Sequence, residues 1–218
     1  MQFEKINNKG QAQLFSSKPL ESLTKCNPLD IFILYLPIIV FLPIYTFKYE
    51  FFSAGRVVSL FVAGIFFWTF TEYILHRFAF HHDAISSWVR KLIYLFHGNH
   101  HEYPRDKERL LMPVVPSLFI SSLFLFVFYL LIGKDALAFY PGFMLGYLIY
   151  GLMHYAIHAW NPPFKWMKPL WRNHHLHHYK HTDKGFGVSS TFWDIVFGTA
   201  YDLKKESVDK EKIKDLTY

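Results

Sequence analysis

Four stretches of about twenty mostly apolar residues constrain this chain of 218 residues more than any other feature. They run from Leu29 to Phe47, Val57 to Leu75, Pro113 to Ile132 and Ala138 to Ile157. A bilayer core roughly 30 Å thick is crossed by about 20 apolar residues in a helix. Inside lipid every backbone N–H and C=O needs an internal partner, which a helix supplies within one segment. The pattern predicts an all-α membrane protein with four transmembrane helices in two hairpins. Pro37 and Pro43 are expected to kink the first helix, which neighbouring helices accommodate. A hydrophobic share of 52% is too rich for an ordinary soluble domain and agrees with this class.

Charge orients the predicted helices. Of the 23 Lys and Arg residues, four precede Leu29, six lie between His76 and Met112, and ten follow Ile157. Only Lys48, Arg56 and Lys134 fall in the two remaining connections. Positively charged segments stay on the cytosolic side, so both ends and the central segment are expected there. Residues 1–28 read as a cytosolic tail without a signal-peptide pattern, 29–199 as a membrane-embedded domain, and 200–218 as a charged tail. Basic and aromatic residues alternate with apolar ones from Trp88 to Phe96 and from Ala159 to Trp171, as in segments lying in the headgroup layer. The net charge of +6 forms no single basic face, so no nucleic-acid partner is expected, and anionic lipid is the natural counterpart. Cys26 stands alone, which excludes an intramolecular disulfide and a thiolate metal cluster.

The 13 histidines all fall in four clusters: His76 with His81 and His82; His97, His100 and His101; His154 and His158; and His174, His175, His177 and His178 with His181 just beyond. The topology, drawn without them, brings all four to the cytosolic face, where they would form a helical cap. Residues three or four apart share a helix face, so each cluster presents convergent imidazoles. Any one histidine is as well explained as a surface or hydrogen-bonded polar group. Four spaced clusters on one face point instead to metal. Imidazole suits iron, zinc and copper, and one metal takes about four to six ligands, so ten convergent imidazoles imply two metals. A structural zinc pair would more usually employ cysteine.

The order H-x4-H, H-x2-H-H, H-x3-H, H-x2-H-H around two membrane hairpins resembles the fatty acid hydroxylase and sterol desaturase superfamily. The flanks look most like the fatty acid 2-hydroxylases: Glu72 through His81, His97 through His101 running into Asp106 to Pro113, and Tyr179 to Ser190 with Phe192 to Gly198. The likeness covers roughly Glu72 to Thr199. It implies that the ligands are His76, His81, His97, His100, His101, His154, His158, His174, His177 and His178. His82, His175 and His181 fall outside the pattern, although His82 could replace His81. The resemblance further implies two metal ions, a di-iron centre in which zinc can stand after purification. It implies dioxygen as co-substrate and hydroxylation at C2 of a fatty acyl group, free or in ceramide, in a bacterial inner membrane or the endoplasmic reticulum. Many eukaryotic relatives carry an N-terminal cytochrome b5 domain. Twenty-eight residues without histidine cannot form one, so a separate donor such as cytochrome b5 or ferredoxin is expected. Competing readings are sterol desaturation, sterol methyl oxidation, carotenoid hydroxylation, metal transport and a scaffold with structural zinc.

Ligating imidazoles usually pass their second N–H to a carboxylate or carbonyl, and Glu72, Asp83, Asp106, Asp183 and Asp194 are candidates. Glu72 lies one helical turn before His76 near a membrane boundary, where an unpaired charge is costly. The other four are equally explained as caps or solvated loop residues. Gly185 and Gly187 flank Phe186 and predict a tight turn there, with Phe186 a candidate substrate contact.

Overall fold

The computed structural model describes residues 6–202. Among them the chain is helical, with α1 (Lys18–Ser22), α2 (Pro28–Tyr49), α3 (Ala54–Ile74), α4 (Ser87–Ile93), α5 (Asn99–Glu102), α6 (Val114–Ile132), α7 (Ala136–Ala159), α8 (Lys168–Tyr179) and α9 (Phe192–Val196). π-Helical turns extend α3 through Leu75–Phe80 and join α4 to α5 through Tyr94–Gly98. Such widened turns often occur at functional sites, and each of these carries a histidine.

Local chemistry sets where the long helices begin and stop. Asn27 Oδ1 accepts from Leu29 N at 2.9 Å, Asp30 Oδ2 accepts from Asn27 N at 2.9 Å, and Pro28 occupies the first turn, where its missing N–H costs nothing. From there α2 runs through both Pro37 and Pro43. Gly133, with φ +58°, ends α6, and a single 3-10 turn over Gly133–Asp135 leads into α7.

The centre of the fold is the crossing of α3 with α7. Gly64 and Gly142 let the two backbones touch: a Cβ on Gly142 would stand 1.9 Å from Phe61 O, and one on Gly64 2.1 Å from Phe139 O. Small residues at crossings serve this purpose in apolar helices, where close packing and not water drives association. Trp68 packs against Phe143, Tyr147 and Tyr150, so α3 and α7 run in the same direction. α6 lies alongside α7 with ring contacts Phe124–Phe143 and Phe128–Phe139. Tyr35 of α2 binds Ser117 and Ser121 of α6 at 2.7 and 3.1 Å, and Ser117 binds Tyr147 of α7 at 3.1 Å. Because α3 and α7 are parallel, their C-terminal ends emerge together, carrying His76 and His81 on one side and His154 and His158 on the other.

Three helical stretches among the described residues are long and apolar enough to cross a membrane: Pro28–Tyr49, Ala54–Phe80 and Val114–Ala159. The last, of 46 residues, contains both α6 and α7. Their outer faces are apolar, with Phe41, Phe119 and Leu131 68%, 72% and 74% exposed. Continuous apolar exposure on this scale suits lipid and not water.

The polar segment before α2 lies against the loop that follows the third histidine of the second cluster. Asn7 N donates to Glu102 O at 2.7 Å, Ala12 N to Asp106 Oδ2 at 3.1 Å and Cys26 N to Glu108 O at 2.8 Å. Lys25 and Glu108 add an exposed ion pair at 2.6 Å.

Candidate metal centre

Where the helix ends meet, the ten histidines gather into two groups of five. His76, His81, His97, His101 and His177 form the first group, and His100, His154, His158, His174 and His178 the second. In each, one ring nitrogen per residue lies within 4.8 Å of all the others. All but His81 are buried.

Sequence spacing suggested that each cluster converges on itself, and the structure divides two of them. Residues advance about 100° around a helix axis, so positions four apart nearly align while adjacent ones diverge. His97 and His101 therefore turn to the first group and His100 to the second. On α8, His174 and His178 enter the second group while His177 enters the first. The two groups touch through the stacked rings of His101 and His178, whose centroids are 4.2 Å apart.

Backbone carbonyls orient three of the rings. His76 Nδ1 meets Phe186 O at 2.5 Å, His154 Nδ1 meets Leu110 O at 2.9 Å, and His177 Nδ1 meets Lys184 O at 2.7 Å. A carbonyl cannot donate, so each Nδ1 carries the proton and each Nε2 is left with its lone pair. The buried Nδ1 atoms of His100, His174 and His178 have no hydrogen-bond partner among the described residues. Their tautomers are set by what Nε2 binds.

The acidic residues act one step further out than their positions suggested. Glu72 accepts from Val188 N at 2.6 Å, Ser189 N at 2.9 Å and the Ser189 hydroxyl. Asp194 accepts from Phe186 N and Gly187 N, both at 2.9 Å, and from Thr199 Oγ1 at 2.7 Å. Together they fix the turn that presents Phe186 O to His76. Gly185 has φ +68°, and a Cβ on Gly187 would stand 2.0 Å from Ser190 O, so the turn requires both glycines. Phe186 is buried against the imidazoles of His76, His81 and His177 and does not line the cavity described below. Asp106 fastens the N-terminal segment and Arg109, while Asp83 and Asp183 are exposed. Of the histidines outside the groups, His82 is exposed, His181 is half-buried, and His175 is buried with Nδ1 2.6 Å from Trp171 O.

The donor set fits metal. His97 Nε2 faces the Nε2 atoms of His76, His81 and His101 at 3.1, 3.1 and 2.9 Å. One ring nitrogen offers a single lone pair or a single proton, so at most one of these contacts is a hydrogen bond. Ligands about 2.1 Å from one metal and at right angles to each other lie roughly 3.0 Å apart. Burial, reinforced by neighbouring imidazoles, holds His97, His100, His101, His174 and His178 well below the usual histidine range. It pushes His81 down to about 2 and His177 to about 4. At neutral pH these rings are uncharged, the state in which imidazole binds metal.

A cavity of about 370 Å³ reaches both groups, touching His76 and His97 of the first and His100 and His154 of the second. Trp68, Tyr147 and Tyr150 wall it on the helix side, and Leu14, Phe15, Leu20 and Leu23 of the N-terminal segment close the other. The spacing of the histidines gave no sign of these walls or of the three carbonyls.

The fatty acid hydroxylase family model matches residues 61–199, a stretch that contains all ten histidines. The dihydroceramide fatty acyl 2-hydroxylase FAH1 of Arabidopsis thaliana is 41% identical over 148 residues, which cover 67% of this chain and 62% of that protein. The ceramide very long chain fatty acid hydroxylase SCS7 of Saccharomyces cerevisiae is 40% identical over 200 residues, covering 88% of this chain and 50% of its own length. The chain thus spans less than two thirds of either relative. A solved structure of full-length scs7p, in which only the hydroxylase domain is visible, matches with a TM-score of 0.83 at 36% identity, covering 89% of this chain and 74% of that one. With its histidines, fold and most of its length accounted for in this way, the chain belongs to the fatty acid hydroxylase family.

Proposed function

We propose that the chain is a membrane di-iron oxygenase that hydroxylates a lipid acyl chain at C2. Its substrate is a fatty acid or a ceramide-type lipid, its co-substrate dioxygen, and its electrons come from a separate donor. The observation that carries this reading is the apolar cavity ending on four imidazoles drawn from both groups. An acyl chain fits such a space, and a structural zinc site would have no use for it.

The ten grouped histidines are the proposed ligands of two ions. Bound iron would supply the redox chemistry with dioxygen that oxidation of a C–H bond needs and side chains lack. The protein's share is position and exclusion. Phe186 O, Leu110 O and Lys184 O hold Nδ1 protons so that Nε2 lone pairs point inward. Trp68, Tyr147 and Tyr150 strip water from the alkyl chain and set its carbonyl end at the imidazoles.

In the same reading α2, α3, α6 and α7 are four spans in two hairpins, with the histidine cap on the cytosolic side. The paired ring contacts of α6 with α7 support the second hairpin, and the skew of Lys and Arg supports the orientation. Exposed Trp88, Trp160 and Trp166 suit the headgroup layer. Basic residues beside the cap, such as Lys165 and Lys168, are suited to docking an acidic donor such as cytochrome b5 or ferredoxin.

The test is anaerobic loading with ferrous iron, then addition of isotopically labelled dioxygen, reductant and acyl lipids, read by mass spectrometry. One labelled oxygen atom at C2 is the expected product. Absence of any iron-dependent oxygenated lipid overturns the proposal.

A further inference from the structure

The cavity's lining changes character along its length. Trp68, His76, His97, His100 and His154 are buried, whereas Phe15, Leu20, Leu23, Phe96 and Val115 line the same space and are 36%, 50%, 58%, 39% and 64% exposed. The exposed residues are the rim of a mouth. Three of the five belong to the segment before α2, and Val115 lies in the first turn of α6. That segment ends at Asn27, where α2 starts, so the mouth opens at the boundary between the cap and the apolar helices.

Among the described residues, the hydrogen bonds that tie residues 12–24 of this strap to the cap run to Asp106 and Arg109. Arg109, buried between two carboxylates, donates to Asp106 at 2.7 Å and to Glu21 in α1. Glu21 also accepts from Leu14 N at 3.0 Å and Phe15 N at 2.7 Å, so one carboxylate sets the backbone that carries the first two apolar wall residues. On the opposite side of the mouth the strap meets the rim through apolar residues, whose contacts are non-directional and adapt to an inserted chain.

We infer that residues 12–24 are the acyl-selecting wall of this protein. Phe15, Leu20 and Leu23 contact the distal methylenes of a chain whose carbonyl end lies at the imidazoles and whose tail leaves through the mouth toward the bilayer. Very long chains reach these residues and short ones do not. The inference rests on the hydroxylase reading and names what that site measures in its substrate.

The test uses the full chain in detergent. Displacement of a dansyl-tagged fatty acid from metal-free protein by short and very long saturated fatty acids gives a binding ratio, and labelled-dioxygen turnover of the same acids by iron-loaded protein gives a second. Leu23→Trp narrows the mouth and is expected to shift both ratios about tenfold toward short chains. Leu23→Ala shifts them the other way, and carries the test should the Trp variant fail to fold. Glu21→Gln, which loosens the strap, weakens discrimination between the two lengths. Ratios unchanged in both Leu23 variants, with product still forming, overturn this inference and leave the hydroxylase reading standing. Strap-dependent binding ratios in a protein that yields no oxygenated lipid overturn the hydroxylase reading alone.

Discussion

At Phe186 a single residue is tied to the site three ways: its carbonyl accepts a hydrogen bond from His76 Nδ1, its N–H donates to Asp194, and its ring lies against three imidazoles. The order of a metal site here depends on carboxylates that never touch an imidazole. Asp194→Asn replaces one of two accepting oxygens with an amide that cannot accept, so at least one of Phe186 N, Gly187 N and Thr199 Oγ1 loses its partner. A cost of about 1–3 kcal/mol is expected, seen as a lower thermal midpoint and less metal bound per chain by elemental analysis. The two-group arrangement makes a sharper demand. His154→Ala removes a member of the second group and leaves the five of the first, so metal content is expected to fall toward half, not to zero. Loss of all metal in that variant contradicts two separable sites. At this scale the histidines were legible, because imidazoles at three- and four-residue spacing have a recognisable pattern. Their acceptors were not, because a carbonyl at Leu110, Lys184 or Phe186 looks like any other.

Elements show the opposite balance. Long apolar helices are read easily, and the structure has α2, α3, α6 and α7 within a few residues of the expected stretches. Helical spacing separates His97 and His101 from His100, but which partners from the other elements complete each group depends on how the helices pack, which spacing does not reveal. The strap was illegible for another reason: its partners, Glu102, Asp106, Glu108 and Arg109, are some ninety residues away in sequence. The crossing of α3 with α7 gives a prediction proper to this scale. Gly142→Leu forces a side chain into the Phe61 backbone and must separate the helices. About 3 kcal/mol of lost stability is expected, with loss of metal, since His76 and His154 ride on the two helices being parted. Unfolding followed by near-ultraviolet circular dichroism, beside the metal content, checks it.

For the molecule as a whole, the neutral imidazoles make pH a stability variable. His177 is pushed down to about 4 and His81 to about 2, from an ordinary value of 6.5. Below about 6.5 the unfolded chain takes up protons that the native state refuses, so stability falls as pH drops through that value and is level above it. The metal-free protein is expected to show this slope in its thermal midpoint between neutral and mildly acidic pH, and saturating metal, which binds the gathered imidazoles more tightly than the unfolded chain, raises the midpoint. A flat profile in metal-free protein contradicts burial of neutral rings. The sharing of α5 and α8 between the groups also has a consequence for synthesis. The first group needs His177 and the second His178, although His76 through His101 are translated long before them. No nascent chain can therefore close either site until α8 has left the ribosome. Ion capture would wait for α8, which follows all four long apolar helices in the chain.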